Sequence, residues 1–448
     1  MLSRWINWSG VVMAFLIAGT TVSIALDEDD VKFSTLYTFE APAPNTFTSA
    51  LGSQPDTRPV LGPEHTVYGM TSDGGANGNG VIYRFDLQSR QYTVLHTFSA
   101  LDANGDNQDG AVPGVALTRG PDDTFYGVAQ FGGANGNGTV FKITASGEFA
   151  VLHTFSAVDA NLHNEDGANP LRTVIVGRDG KLYGTTRLGG ENSCDGTRGC
   201  AVAWSMDRSG NSFTVLHQFT ASEGHAASII QGRDGLLYGS AVYPFTSLPS
   251  GAPLPSGTLF RMTTSGQDFE VLYRFSQTDA NGRNTDGADP YEPLVEREPG
   301  VFFGATYFGG TNGNGVVFRY SISEPSVVEI VHNFSAIGAT GQNLDGANPL
   351  ARLTLGPDGT LYSTATGGGL NGDGVVYGIR PDGFFEVLHT FSATDPTTGA
   401  NKDGVDPDYG VVLDEHNSLI GIAVFGGNGS SAGFFNSGGT LYRLKLDD

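Results

Sequence analysis

Apolar and polar residues alternate in short runs along almost the whole chain, and each run is broken by Gly, Pro, Asp or Asn. A period of two marks half-buried strands, and no convincing helical spacing follows the N-terminal segment. One stretch shows the unit in full. Pro349 to Leu355 is followed by a Gly-Pro-Asp-Gly turn at 356–359, Thr360 to Thr366, a glycine loop, Val375 to Ile379, a Pro-Asp-Gly turn at 381–383, and Phe384 to Phe391. Four short strands rich in Val, Leu, Tyr, Phe and Thr, joined by such turns, predict an antiparallel meander.

The unit repeats. Strings of the Val-Leu-His-Thr-Phe type end at Phe39, Phe98, Phe155, Phe219, Phe275, Phe334 and Phe391, spaced 56 to 64 residues apart. A Leu-Tyr-Gly-like string recurs seven times, centred on Tyr68, Tyr126, Tyr183, Tyr238, Phe303, Tyr362 and Ile420. Glycine loops precede Val81, Thr139, Thr258, Val316, Val375 and Thr440. Seven four-stranded units predict an all-β fold, a seven-bladed β-propeller of four-stranded antiparallel blades. The segment 33–39 is an outer-type strand standing alone, and the last unit, ending at Gly439 to Leu444, lacks that strand. The ring is therefore expected to be closed by the N-terminal strand, which removes an open sheet edge. An open solenoid is the alternative and would want shorter units with capping repeats.

These units resemble the GloVer (Gloeo/Verruco) tandem repeat. The resemblance rests on Gly132 to Phe141 (GGANGNGTVF), Val151 to Phe155, Asp166-Gly167-Ala168-Asn169-Pro170 and Leu182 to Thr186 (LYGTT), and related strings cover nearly all of the chain after its leader. It implies an exported, propeller-like bacterial surface or extracellular protein, often with a variable C-terminal anchor, and no known catalytic activity. Here Asp448 follows directly on a strand and no such anchor is read.

Composition narrows the partners. Sixty-five of 448 residues are glycine, charged residues make up 16 %, and the formal net charge is −23. Without clustered Lys and Arg the chain is not expected to bind nucleic acid. Arg4, the apolar run Gly10 to Ala25 and the acidic residues Asp27 to Asp30 read as a signal peptide spanning 1–25, with the propeller over 26–448. An uncleaved anchor is the other reading of that run. No later stretch is apolar enough to span a bilayer, so the expected product is a monomer that is secreted, periplasmic or at the cell surface. Cys194 and Cys200, the only cysteines, lie in one glycine-containing loop and are expected to form a disulfide.

Candidate chemistry comes in three patterns. His96, His153, His217, His332 and His389 share one strand slot, with Tyr37 and Tyr273 in the other copies. A catalytic centre needs one positioned base, so five equivalents predict a structural role between blades. The loops 102–110, 159–167 and 279–287 alternate Asp and Asn, offering Asp102, Asn104, Asp106, Asp109, Asp159, Asn161, Asp166, Asp279, Asn281 and Asp286 as ligands for Ca²⁺. They lack the spacing and terminal Glu of an EF-hand, and Asx-turns alone would account for them. No other cofactor is expected.

The third pattern is broken symmetry. Six units place 15 or 16 residues between the phenylalanine and the next inner strand, whereas Phe219 to His225 is only six. His225 stands where Pro113, Pro170, Pro290, Pro349 and Pro407 stand, beside the Cys194–Cys200 loop and the Pro-rich 243–253 loop. A groove is expected there, faced by Arg187, His225, Tyr243 and Tyr307, with Gln130 and Glu292 further round. The reading drawn from this is a glycan- or cell-surface-binding module acting through the loop-rich face. A polysaccharide lyase using Arg187 on a uronate carboxylate and His225 or Tyr307 as base is the enzymatic alternative; a glycosidase lacks a distinctive carboxylate pair. A structural adhesion array is the third. Nucleophilic triads and phosphate-binding loops find no support.

Overall fold

A computed structural model of the chain describes residues 14–17, 20–23, 32–43, 46–170, 174–191, 194, 199–243, 256–395, 397–427 and 437–446. The described residues contain strands and no helix. The expected leader lies mostly outside them; within it, Ala14–Ile17 pairs antiparallel with Thr20–Ser23.

Seven antiparallel blades follow. Blade 1 orders its strands Val60–Leu61, Thr66–Thr71, Val81–Asp86 and Tyr92–Thr97 from inner to outer, and blades 2 to 6 repeat that order, the inner strand of blade 2 being split into Ala111–Pro113 and Thr118–Arg119. Blade 7 combines Val411–Leu413, Ser418–Ala423 and Thr440–Lys445 with Phe33–Thr38 as its outer strand, in the register Phe33↔Leu444 and Thr38↔Thr440. The ring is closed as the chain ends foretold. Every third-to-outer pairing carries its register shift at the same place, as at Ile82/Tyr83, Val317/Phe318 and Val376/Tyr377.

The core is partitioned by blade interfaces rather than by blades. Tyr68, Met70 and Phe98 of blade 1 pack with Leu117, Phe125, Phe141 and Ile143 of blade 2. Leu36, Ile420 and Leu441 of blade 7 pack with Val67, Tyr83 and Phe85 of blade 1, so the seam is as apolar as any other junction. The Leu-Tyr-Gly tyrosines serve this packing, Tyr68 stacking on Phe125 at 4.1 Å. The following glycine admits an aromatic ring of the third strand. A Cβ on Gly184 would lie 2.4 Å from Trp204 Cζ2.

The histidine slot ties blades together in two directions. Nε2 of His96, His153, His332 and His389 lies 2.9–3.0 Å from the carboxylates of Asp109, Asp166, Asp345 and Asp403, and His217 lies 3.1 Å from Glu223. Each carboxylate belongs to the segment leading into the next blade. Each imidazole also stacks on a ring of that next blade, His96 on Phe149 at 3.8 Å and His389 on Phe33 at 3.8 Å. Tyr273 fills the slot with its hydroxyl donated to Asp286 at 2.8 Å.

One expectation needs correction. The inner strands are far shorter than the pattern suggested: in blade 6 only Thr354–Leu355 pairs, not Pro349 to Leu355. The residue before each proline (Gln54, Val112, Asn169, Asp289, Asn348, Asp406) holds a left-handed φ of 53° to 59°. The chain kinks there before running down the wall of the channel, and proline has no N–H to offer a ladder.

Candidate functional site

Strand direction sorts the loops. The inner strand leaves the face that carries the glycine loops and the long crossings, and its turn into the second strand lies on the opposite face. We call these the loop-rich face and the turn face.

On the loop-rich face the second strands end in a ring of equivalent positions: Ser72, Gln130, Arg187, Val242, Tyr307, Thr366 and Val424. Several are anchored through their N–H to the carbonyl of the kinked residue in the same blade, as Arg187 to Asn169 (3.1 Å) and Tyr307 to Asp289 (3.1 Å). Gln130, Arg187 and Tyr307 are thus brought to one rim. Arg187 is exposed and Tyr307 half-buried, the latter meeting Tyr291 edge-to-face at 6.3 Å.

Where the crossing into blade 4 is short, the described residues show a long inner strand, and the loops expected to wall a groove there lie mostly outside the described residues. Without the long crossing, blade 4 pairs its inner strand in full, His225–Gln231 against Leu237–Val242. His225 is 3 % exposed, with Nδ1 3.0 Å from the Arg187 carbonyl. Tyr243 is also buried and donates its hydroxyl to Ser222 O at 2.7 Å. Both side chains are thus buried and tied to backbone carbonyls. Cys194 and Cys200 form the expected disulfide, with Cα atoms 4.9 Å apart. The flanking segments 192–193, 195–198 and 244–255 fall outside the described residues.

The Asp/Asn loops satisfy themselves. Asp102 Oδ1 accepts the N–H groups of Asn104 and Asp106, Asp159 those of Asn161 and His163, and Asp279 those of Asn281 and Arg283. Asp109, Asp166 and Asp286 hold the slot residues His96, His153 and Tyr273 together with Ser99, Ser156 and Ser276. Among the described residues, no three of these carboxylates gather closely enough to share an ion. The sequence reading missed the asparagine of the repeated Asn-x-Asp-Gly string. Asn107 Oδ1 accepts from Gly110 N in its own loop and Gly133 N in the next blade, both at 2.8 Å, and Asn343 does the same with Gly346 and Gly369.

The strongly perturbed carboxyls and arginines gather along the inner strands, at the central channel. Just below the kinks stand Asp56 of blade 1 and Asp408 of blade 7, next to Asp406 and facing Tyr307. Burial, and then Asp406 and Asp56, push Asp408 up to about 8, partly offset by the nearby Thr366 hydroxyl. Burial raises Asp56 to about 7, with Asp73 adding to it and Ser72 opposing. Burial and Asp373 lift Asp406 to about 6, and burial alone lifts Asp73 and Asp289 to about 6. The Tyr307 phenol is raised by burial and by Asp408 and Asp406. Asp56 Oδ1 and Asp408 Oδ1 are buried without a hydrogen-bond partner.

A layer deeper, Arg58 donates to Thr354 Oγ1 (2.8 Å) and to Val411 O (2.9 Å), joining blade 1 to blades 6 and 7. Burial, with repulsion from Arg352, lowers its guanidinium to about 9 despite Glu292. Glu292 is therefore not at the rim but buried beside these two arginines, at a cavity of about 280 Å³ also lined by Val115, Leu117 and Thr118. The site is a collar of carboxyls and tyrosine over a cationic floor.

A family model described as the Gloeobacter/Verrucomicrobia repeat matches residues 17–164 and 157–344. Among solved structures the chain is similar to virginiamycin B lyase from Staphylococcus aureus, with a TM-score of 0.51, 12 % identity, and coverage of 93 % of this chain and 100 % of that one. It is also similar to an oligogalacturonate lyase in complex with manganese, with a TM-score of 0.50, 13 % identity, and coverage of 98 % and 96 %. Identities this low show a shared fold alone. Among curated proteins no match is found.

Proposed function

The chain belongs to the Gloeobacter/Verrucomicrobia repeat family, and from that premise we propose that it is an exported binding module whose loop-rich face takes a neutral, hydroxyl-rich glycan at the mouth of the central channel. The observation that carries this reading is the collar itself: half-buried Tyr307 and Tyr291 beside carboxyls whose protons are retained toward neutral pH. Sugar rings offer C–H faces to tyrosine and hydroxyls to carboxyl oxygens that lack partners. Exposed Phe131 and Phe308 directly follow the rim residues Gln130 and Tyr307, and exposed Leu370 and Leu344 lie on loops of the same face, so a polymer would find further apolar surface there.

A uronate-rich chain fits less well. Arg58 lies a layer below the collar and already donates to Thr354 and Val411, so it does not reach up to a uronate carboxylate at the mouth. The lyase reading also loses its base, because His225 is buried and the Tyr307 phenol is made harder to ionise. The two lyases of similar fold do not restore it. A glycan array tests the proposal. Neutral glycans should be retained, and Tyr307→Ala should weaken that binding by about tenfold or more, as expected for a lost aromatic platform. Retention of uronate glycans alone, or binding indifferent to Tyr307→Ala, would overturn it.

A further inference from the structure

On the turn face, opposite the collar, blades 1 and 7 meet at the seam where the ring closes. Each inner-to-second turn ends in a residue with positive φ: Asp123, Gly180, Gly235, Gly300 and Gly359 in blades 2 to 6, Asn417 in blade 7 and His65 in blade 1. Glycine and Asx tolerate that conformation; an imidazole there is a departure held at some conformational cost. The neighbouring turn of blade 7 supplies Glu415 and His416. His65 Nδ1 lies 2.8 Å from Glu415 Oε1, and His416 Nδ1 lies 3.9 Å from the same oxygen. The three ligand atoms all fall within 4.8 Å of one another, a grouping of His, Cys, Asp or Glu with no counterpart among the described residues.

We propose that His65, Glu415 and His416 form a binding site for a late first-row divalent cation such as Zn²⁺. Two imidazole nitrogens and one carboxylate oxygen are a donor set zinc accepts, with a fourth position left to water. Ligand atoms at about 2.0–2.1 Å from a tetrahedral ion stand about 3.4 Å apart, which falls within the observed 2.8 to 4.8 Å. Both turns that carry these side chains are fixed through their backbones. Leu87 N donates to His65 O at 3.0 Å, and Asp414 Oδ1 accepts from His416 N and Ser418 N at 2.9 and 2.8 Å. All three side chains are exposed, so an ion enters directly from solvent. Bound there, it ties blade 7 to blade 1 across a seam otherwise held by strand pairing and packing.

The test is calorimetric titration of ZnCl₂ into full-length, EDTA-treated protein, paired with thermal melts at rising zinc. One ion per chain should bind, and the melting temperature should climb with zinc concentration. His65→Ala and His416→Ala should each weaken binding by about tenfold or more and abolish the climb, while His163→Ala, far from the seam, changes neither. Wild-type protein that takes up no zinc, or uptake unchanged in both seam variants, would overturn the proposal.

Discussion

The collar makes a quantitative demand on Asp408→Asn. An acid whose folded pKa is raised binds more protons folded than unfolded, so stability falls as pH climbs from its unfolded value to its folded one. For Asp408 that window runs from 3.8 to about 8. At about 1.36 kcal/mol per pH unit, the full gap would cost about 5–6 kcal/mol at alkaline pH. That is a ceiling, since Asp408 is only half-buried and shares its protons with Asp406 and Asp56. Screening by channel water brings the expected cost to about 1–3 kcal/mol. Asparagine keeps the shape and cannot ionise. Urea unfolding at pH 8.5 should therefore show Asp408→Asn more stable than wild type by about 1–3 kcal/mol, and at pH 4 the two should coincide. A variant no more stable at pH 8.5, or equally advantaged at both values, would refute the reasoning.

Two further substitutions probe the frame. His153→Ala removes the 2.9 Å bond to Asp166 and the 3.9 Å stack on Phe213, and should cost about 2–4 kcal/mol at pH 7 by urea unfolding. Burial raises Asp166, but bonds from His153 and Ser156 outweigh it and leave its pKa lowered; its stabilisation is present above the unfolded value of about 3.9 and lost as pH falls through the folded one, so the gap to wild type should narrow in acid. Gly184→Ala drives a Cβ to within 2.4 Å of fully buried Trp204, and over-packing of this kind should cost about 1–3 kcal/mol; an unchanged urea midpoint would contradict it.

The ring was legible because repetition carries it. Seven copies of one alternation give the blades, and the lone strand ending at Phe39 gives the closure. The histidines were legible for the same reason, since equivalence in five copies argues for scaffold before chemistry. The kink at the residue before each proline was not, because a left-handed Val112 or Asn169 leaves no mark in an apolar pattern. The shortened loop at His225 is plain in the sequence, but its local outcome is not: with no long crossing, backbone groups that elsewhere kink before a proline pair into the strand His225–Gln231, which buries His225. The collar was invisible for a different reason. Asp56 and Asp408 each follow the inner-strand proline of their own blade at opposite ends of the chain, and only the circular path of the backbone makes them neighbours. Glu292 was named without its partners, Arg58 and Arg352, because a buried charge triad across three blades has no spacing to detect.

The claim on which the functional account rests is location: ligand held at the tyrosine–carboxyl mouth of the loop-rich face. Hydrogen exchange measured with and without a retained neutral glycan addresses it directly. Exchange should slow around 56–58, 72–73, 306–308 and 406–409, with the turns at 62–65 and 414–417 unchanged. Protection confined to those turns or to the blade rims, with the mouth exchanging as before, would contradict it.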